Sequence, residues 1–180
     1  MRFNTGKWVA GSLITLGVLG MVFTGVQELR RMKHLTQGTL AAPFTLERWS
    51  GGPLTLGELR GKVVMIDFWA TWCPPCVEEM PTLVRLAREY EGRGLVFIAA
   101  SRDEALTWKA DVSVFSDKRS PELTQFAAYA DDTVGDAYNV HVLPTLYFID
   151  RSGKVHEAHS GYADEAELRS LIEDALKGGT

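Results

Sequence analysis

Between Val63 and Ser101 the chain writes an order of elements that few folds accommodate. VVMIDFWA, residues 63–70, is an apolar run broken only by Asp67, the pattern of a strand buried on both faces. From Pro74 apolar residues recur every three to four positions, at Cys76, Met80, Leu83, Val84, Leu86, Ala87 and Tyr90, which predicts a helix ending near Gly92 or Gly94. LVFIAAS, residues 95–101, reads as a second buried strand. Strand, helix and strand in that order form a βαβ unit with parallel strands and a right-handed crossover. The fold class is therefore α/β, and chemistry in such open sheets gathers at the carboxyl ends of the strands.

Elements on either side fill out one domain. Phe44, Leu46, a Gly51-Gly52-Pro53 turn, Leu54 and Leu56 predict a β-hairpin, so the folded part starts near Pro43. TLYFID at 145–150, a turn at Arg151-Ser152-Gly153 and KVHEAHSG predict a second hairpin. A closing helix carries the stripe Leu168, Leu171, Ile172, Ala175 and Leu176. For residues 102–131 the expectation is a helix near 104–116, with Leu106, Ala110 and Val114 on its apolar face, and a strand near 125–130. A short helix through Thr133–Tyr138 follows.

The amino-terminal part has a different character. Trp8 to Val26 is nineteen residues without a charge, long enough as a helix to cross roughly 30 Å of hydrocarbon. Its glycines and threonines make a poor helix in water, whereas glycine is common in membrane helices. Arg2 and Lys7 precede it, Arg30, Arg31 and Lys33 follow it, and no clear A-x-A site closes it. The expected division is a signal-anchor helix at about 8–26 with its linker in residues 1–35, and a folded domain over 36–180; a cleaved signal and a soluble periplasmic domain are the alternative. A net charge of −4 with scattered Lys and Arg gives no footprint for nucleic acid.

The chain has two cysteines, Cys73 and Cys76, both inside WCPPC at the handover from strand to helix. A helix N-terminus exposes unpaired N–H groups and a partial positive charge, which stabilise a thiolate. Cys73 sits there as the expected nucleophile, and Cys76, one turn on and turned inward, as the resolving thiol. Pro74 and Pro75 stiffen the first turn, where N–H donors lack helical partners anyway. A structural disulfide would close too short a loop to stabilise much. A zinc site would need His34, His141, His156 or His159, and none stands at ligand spacing from the pair. A redox-active pair, without cofactor or metal, is the reading that remains favoured.

Two carboxylates belong to the same neighbourhood. Asp67 is costly to bury in an apolar strand, and six residues before Cys73 it can lie beneath the turn and exchange a proton with Cys76. The alternative is an aspartate satisfied by a lysine or hydroxyl. Glu79 is either a second acid facing the pair or a residue favoured by the helix dipole alone. Pro81 should bend the helix without ending it.

DFWATWCPPC, 67–76, resembles the active-site strand and turn of thioredoxins, and Pro81 falls where that fold kinks its active-site helix. VLPTLYFID, 142–150, resembles the segment that supplies the cis-proline, here Pro144. APFTLERWSGGPLTLGELRGK and WCPPCVEEMP resemble the membrane-tethered TlpA/ResA/DsbE group. The resemblance implies a thioredoxin-like fold, a central mixed β-sheet flanked by helices, with the amino-terminal hairpin and transmembrane helix added. It also implies that Cys73, Cys76, Asp67 and Glu79 do the chemistry. Trp72, Pro74, Pro75, Leu143 and Pro144 would then hold an extended client peptide. At Asp67 the chain follows cytoplasmic thioredoxins, where the tethered group frequently has asparagine.

Carried further, the resemblance implies a single-pass protein of the bacterial inner membrane with its catalytic domain on the extracytoplasmic side. It would reduce protein disulfides, apocytochrome c among the candidate clients, and be recharged by a membrane electron donor of the CcdA/DsbD type. The same fold run as an oxidase or isomerase, and a tethered binding module without turnover, are the rival readings.

Overall fold

The structure is a computed structural model describing residues 36–178, so the expected membrane helix at 8–26 and most of its linker lie outside the described residues. Among the described residues no helix is long and apolar enough to cross a membrane. A hairpin of β1 (Thr45–Arg48) and β2 (Pro53–Thr55) comes first, followed by a 3-10 turn at Leu56–Leu59. Then come β3 (Val63–Trp69), α1 (Pro74–Glu91), β4 (Leu95–Ser101), α2 (Trp108–Arg119), a 3-10 turn at Leu123–Gln125 and β5 (Ala127–Tyr129). The chain closes with α3 (Asp132–Ala137), β6 (Thr145–Ile149), β7 (Val155–Ser160) and α4 (Glu165–Gly178).

Seven strands form one mixed sheet in the order β2-β1-β5-β4-β3-β6-β7. β3 runs parallel to β4, and β4 to β5, as the βαβ pattern requires; β6 returns antiparallel on the other side of β3. Every residue of β3 is buried, which is why its apolar run shows no alternation. Its side chains still alternate between faces. Val63, Met65 and Trp69 join the core under α1, α2 and α4, whereas Val64, Ile66 and Phe68 join the core on the opposite face with Val134 and Tyr138. Asp67 keeps step with the first set and so points toward α1.

The middle segment differs from expectation. The helix runs 108–119 and not 104–116, and its buried residues are Trp108, Val112, Phe115 and Ser116. Leu106 is 99% exposed and Val114 53% exposed, so the apolar stripe drawn through them faces water. Its real face starts at Trp108, which stacks on Tyr129 of β5 with ring centroids 5.7 Å apart. The strand expected at 125–130 is the shorter β5, and the short helix expected at 133–138 is α3, one residue earlier at each end. We therefore expect Trp108→Ala to cost about 3–5 kcal/mol in chemical denaturation. Leu106→Ser should stay within about 0.5 kcal/mol of the unmutated protein.

Chain entry is fixed by backbone bonds at one end of the sheet. Gly38 N–H donates to Val155 O (2.7 Å), Val155 N–H to Thr39 O (2.8 Å) and Ala41 N–H to Gly153 O (3.0 Å). Their partners, Gly153 and Val155, close the turn that follows Ile149, which pairs with Val64 at the amino end of β3.

Candidate active site

At the carboxyl end of β3 the turn is tied down before the cysteines begin. Arg102 N–H donates to Trp69 O (2.8 Å), and Thr71 gives both its N–H (3.0 Å) and its hydroxyl (2.8 Å) to Asp103 Oδ1. Ser101 Oγ donates to the other oxygen of the buried Asp103 (2.9 Å). Cys73 then caps α1: its backbone is extended, the helix starts at Pro74, and Cys76 N–H donates to Cys73 Sγ at 3.4 Å. The two cysteines are joined as a disulfide with Cα atoms 5.3 Å apart. Their sulfurs stand in for the thiolate and thiol of the reduced pair. Both are buried in this form, so exposure does not separate them. Position does, because Cys73 lines a surface groove and Cys76 packs into the core beneath α1. The helix continues through Pro81 to Glu91.

On the inner side lie the carboxylates. Asp67 is fully buried, and neither of its oxygens meets a donor among the described residues, so the alternative of a lysine- or hydroxyl-satisfied aspartate does not hold. Burial, and then the nearby Glu79 carboxylate, holds its pKa well above the ordinary carboxylate range. Glu79, one helical turn after Cys76, is 2% exposed. Its Oε2 accepts from Ala163 N–H at 3.4 Å, while Oε1 has no partner among the described residues. Burial pushes its pKa up to about 7, against the pull of the Ala163 N–H and with a push from Glu167. Helix-dipole preference alone would leave such a side chain in water. Among the described residues, the buried side-chain polar atoms without partners belong to Asp67, Trp69, Glu79 and His159. His159 lies opposite Leu146, which itself pairs with Asp67, so the cost of unpaired burial is concentrated on this face of the sheet.

On the outer side a groove of about 480 Å³ opens between the WCPPC turn and residues 140–143. Trp72, Cys73, Pro74 and Pro75 form one wall, Val140 to Leu143 contribute the other, and Arg102 lines it as well. Trp72 is 67% exposed and Val142 51% exposed, a large apolar area for a surface that meets only water. The Leu143–Pro144 bond is cis, as the resemblance implies. Pro144 O accepts from Gly161 N–H (2.9 Å), and Thr145 Oγ1 donates to Val142 O (2.8 Å), which pins the loop.

Of the residues named from sequence, the structure brings Cys73, Trp72, Pro74, Pro75 and Leu143 to one groove, and Asp67 and Glu79 to the buried side of α1. Pro144 shapes the second wall without lining it. Sequence reasoning missed Arg102 and Asp103, and weighed His159 only as a zinc ligand. Ser101-Arg102-Asp103, a polar triplet directly at the end of a buried strand, was the available signal for the first two. Among the described residues no three His, Cys, Asp or Glu side chains gather in a metal-holding group.

The sequence profile of the AhpC/TSA family matches residues 37–158. The thioredoxin-like protein YneN of Bacillus subtilis is 30% identical over 169 residues, covering 93% of this chain and 97% of that protein. The thiol-disulfide oxidoreductase ResA of Halalkalibacterium halodurans is 30% identical over 92% of this chain and 93% of its own length. A crystal structure from Chlorobium tepidum, provisionally assigned as the thiol:disulfide interchange protein DsbE, superposes with a TM-score of 0.69 at 29% identity. That match covers 79% of this chain and 99% of the other.

Proposed function

This chain belongs to the AhpC/TSA family, and from that premise we propose that it is a membrane-anchored thiol-disulfide oxidoreductase of the ResA/DsbE type, reducing protein disulfides outside the cytoplasm. One observation carries the reading: a cysteine that caps a helix and lines an open apolar groove, backed by a second cysteine and two buried carboxylates. The Cys73 thiolate attacks one sulfur of a client disulfide lying in the groove. A mixed disulfide forms, and the client's other sulfur leaves as a thiolate that takes up a proton. Cys76 gives its proton to a buried carboxylate and attacks Cys73 Sγ. The mixed disulfide breaks, the client leaves fully reduced, and the Cys73–Cys76 disulfide remains, two electrons having passed to the client. Carboxylates whose pKa values are raised by burial suit that proton transfer at neutral pH.

The uncharged stretch at 8–26 supports the anchor, and Trp72, Pro74, Pro75 and Leu143 are the proposed client contacts, with Pro144 holding the loop. A reductant in an oxidising compartment must be recharged, which calls for a membrane donor of the CcdA/DsbD type; apocytochrome c haem-binding cysteines are candidate clients. Direction is tested by the reduction potential of the full-length protein in glutathione or dithiothreitol buffers, with tryptophan fluorescence as the readout. A reductase should fall near about −270 mV. A value up toward roughly −120 mV would make it an oxidant and reverse the assigned electron flow.

A further inference from the structure

We propose that Arg102 selects the clients of this protein, so that the groove beside Cys73 takes a peptide segment carrying a carboxylate side chain next to the cysteine under attack. The inference rests on the disulfide-exchange reading above and deepens it by naming the substrate class. Among the described residues, Arg102 is the one acidic or basic side chain besides His141 on the groove's lining, and no carboxylate lines it. The neighbouring cavity along α1, by contrast, carries both signs through Glu78 and Arg119.

The guanidinium is held in advance of any ligand. One terminal nitrogen donates to Ala130 O (2.6 Å), and the other meets Asp132 Oδ1 (2.7 Å). It also lies against Gly135 of α3, where an added Cβ would come within 2.9 Å of the guanidinium carbon. Glycine is therefore what lets the planar group rest there. Only 19% of the Arg102 side chain is exposed, whereas Asp132 is 95% exposed. Asp132 thus answers the charge from the solvent side, where water and salt screen it; toward the apolar groove the positive field is screened less.

Among the described residues two of the five guanidinium N–H groups meet acceptors, which leaves donors for a carboxylate in the geometry that arginine favours. His141 adds no fixed negative charge, and its Nε2 sits 2.7 Å from Asn139 Oδ1. A client with glutamate beside its cysteine places an anion near this preformed cation, and one with lysine places like charge there.

The test uses the full-length chain, reduced, purified in a mild detergent, and three disulfide-bridged fluorogenic peptides. They are identical except for Glu, Gln or Lys next to the attacked cysteine. The expected second-order rate constant for the Glu peptide is about tenfold above that for Gln, with Lys slower still. That ratio should shrink as salt is raised. Arg102→Gln should bring the Glu and Gln peptides to within about twofold of each other, and Arg102→Lys should restore part of the preference. Equal rate constants for all three peptides in the unmutated protein, or a preference that survives Arg102→Gln, would overturn the inference alone. Because the unmutated comparison stands without the variants, a misfolded Arg102→Gln protein does not rescue it. Reduction of none of the peptides would overturn the disulfide-exchange reading, and the inference with it.

Discussion

Cys76→Ser is expected to abolish turnover, by roughly 10³-fold or more, while leaving the protein able to capture its clients. Cys73 keeps its place at the helix cap and on the groove, so it still attacks and forms the mixed disulfide. The serine hydroxyl cannot displace the client sulfur, and the complex stays closed until dithiothreitol is added. Non-reducing gels and mass spectrometry should find one covalent client per chain, attached at Cys73. Cys73→Ser should capture nothing, because Cys76 is buried away from the groove. If Cys76→Ser bound the same partners without a covalent link, the domain would be a tethered binding module and the catalytic reading would fail.

Glu79→Gln should make the oxidised protein more stable at alkaline pH and slower in exchange. The folded protein holds the Glu79 proton up to about pH 7, whereas the unfolded chain releases it near 4.5. In that window the native state binds more protons, so stability falls as pH rises from about 4.5 through about 7, then levels off for this group. The displacement corresponds to about 3 kcal/mol, or about 6–12 °C in Tm for a protein of this size. Glutamine has no charge to bury, so the variant should match the unmutated protein at pH 4 and exceed it by that amount at pH 8. Asp67→Asn should act in the same direction, since burial raises the Asp67 pKa as well. Both variants should release mixed disulfides about 10–100-fold more slowly at neutral pH. Tm values of the unmutated protein that stay flat or rise between pH 5 and pH 8 would refute the assignment of Glu79 as a buried acid whose pKa is raised by burial.

What could be read in advance follows from where the information lies along the chain. β3, α1 and β4 were legible because each has a strong period of its own and a turn chemistry that fits its neighbour. The cysteine pair was legible because its setting is local: a strand end, two prolines and a helix start. The segment from 102 to 131 was not, because an exposed Leu106 mimics a core residue and Trp108 earns its burial from a ring on β5. Arg102 shows the same limit at the site. Its neighbours in space, Ala130, Asp132 and Gly135, are distant in sequence, and no periodicity announces that they converge on its guanidinium.

The backbone bonds that join residues 38–41 to the 153–155 segment place the chain's entry at the amino end of β3, and the cysteines follow its carboxyl end. Seven residues of strand separate these poles, about 20 Å. Residues 38–41 are therefore fastened at the back of the domain, like a clasp behind the jaws that the groove walls form. That stretch leaves the mouth of the groove uncrossed, because its bonds go to the 153–155 segment and it contributes nothing to the groove's lining. Among the described residues the mouth beside Cys73 is walled by the WCPPC turn, Arg102 and residues 140–143, and a ligand approaching it meets those surfaces first.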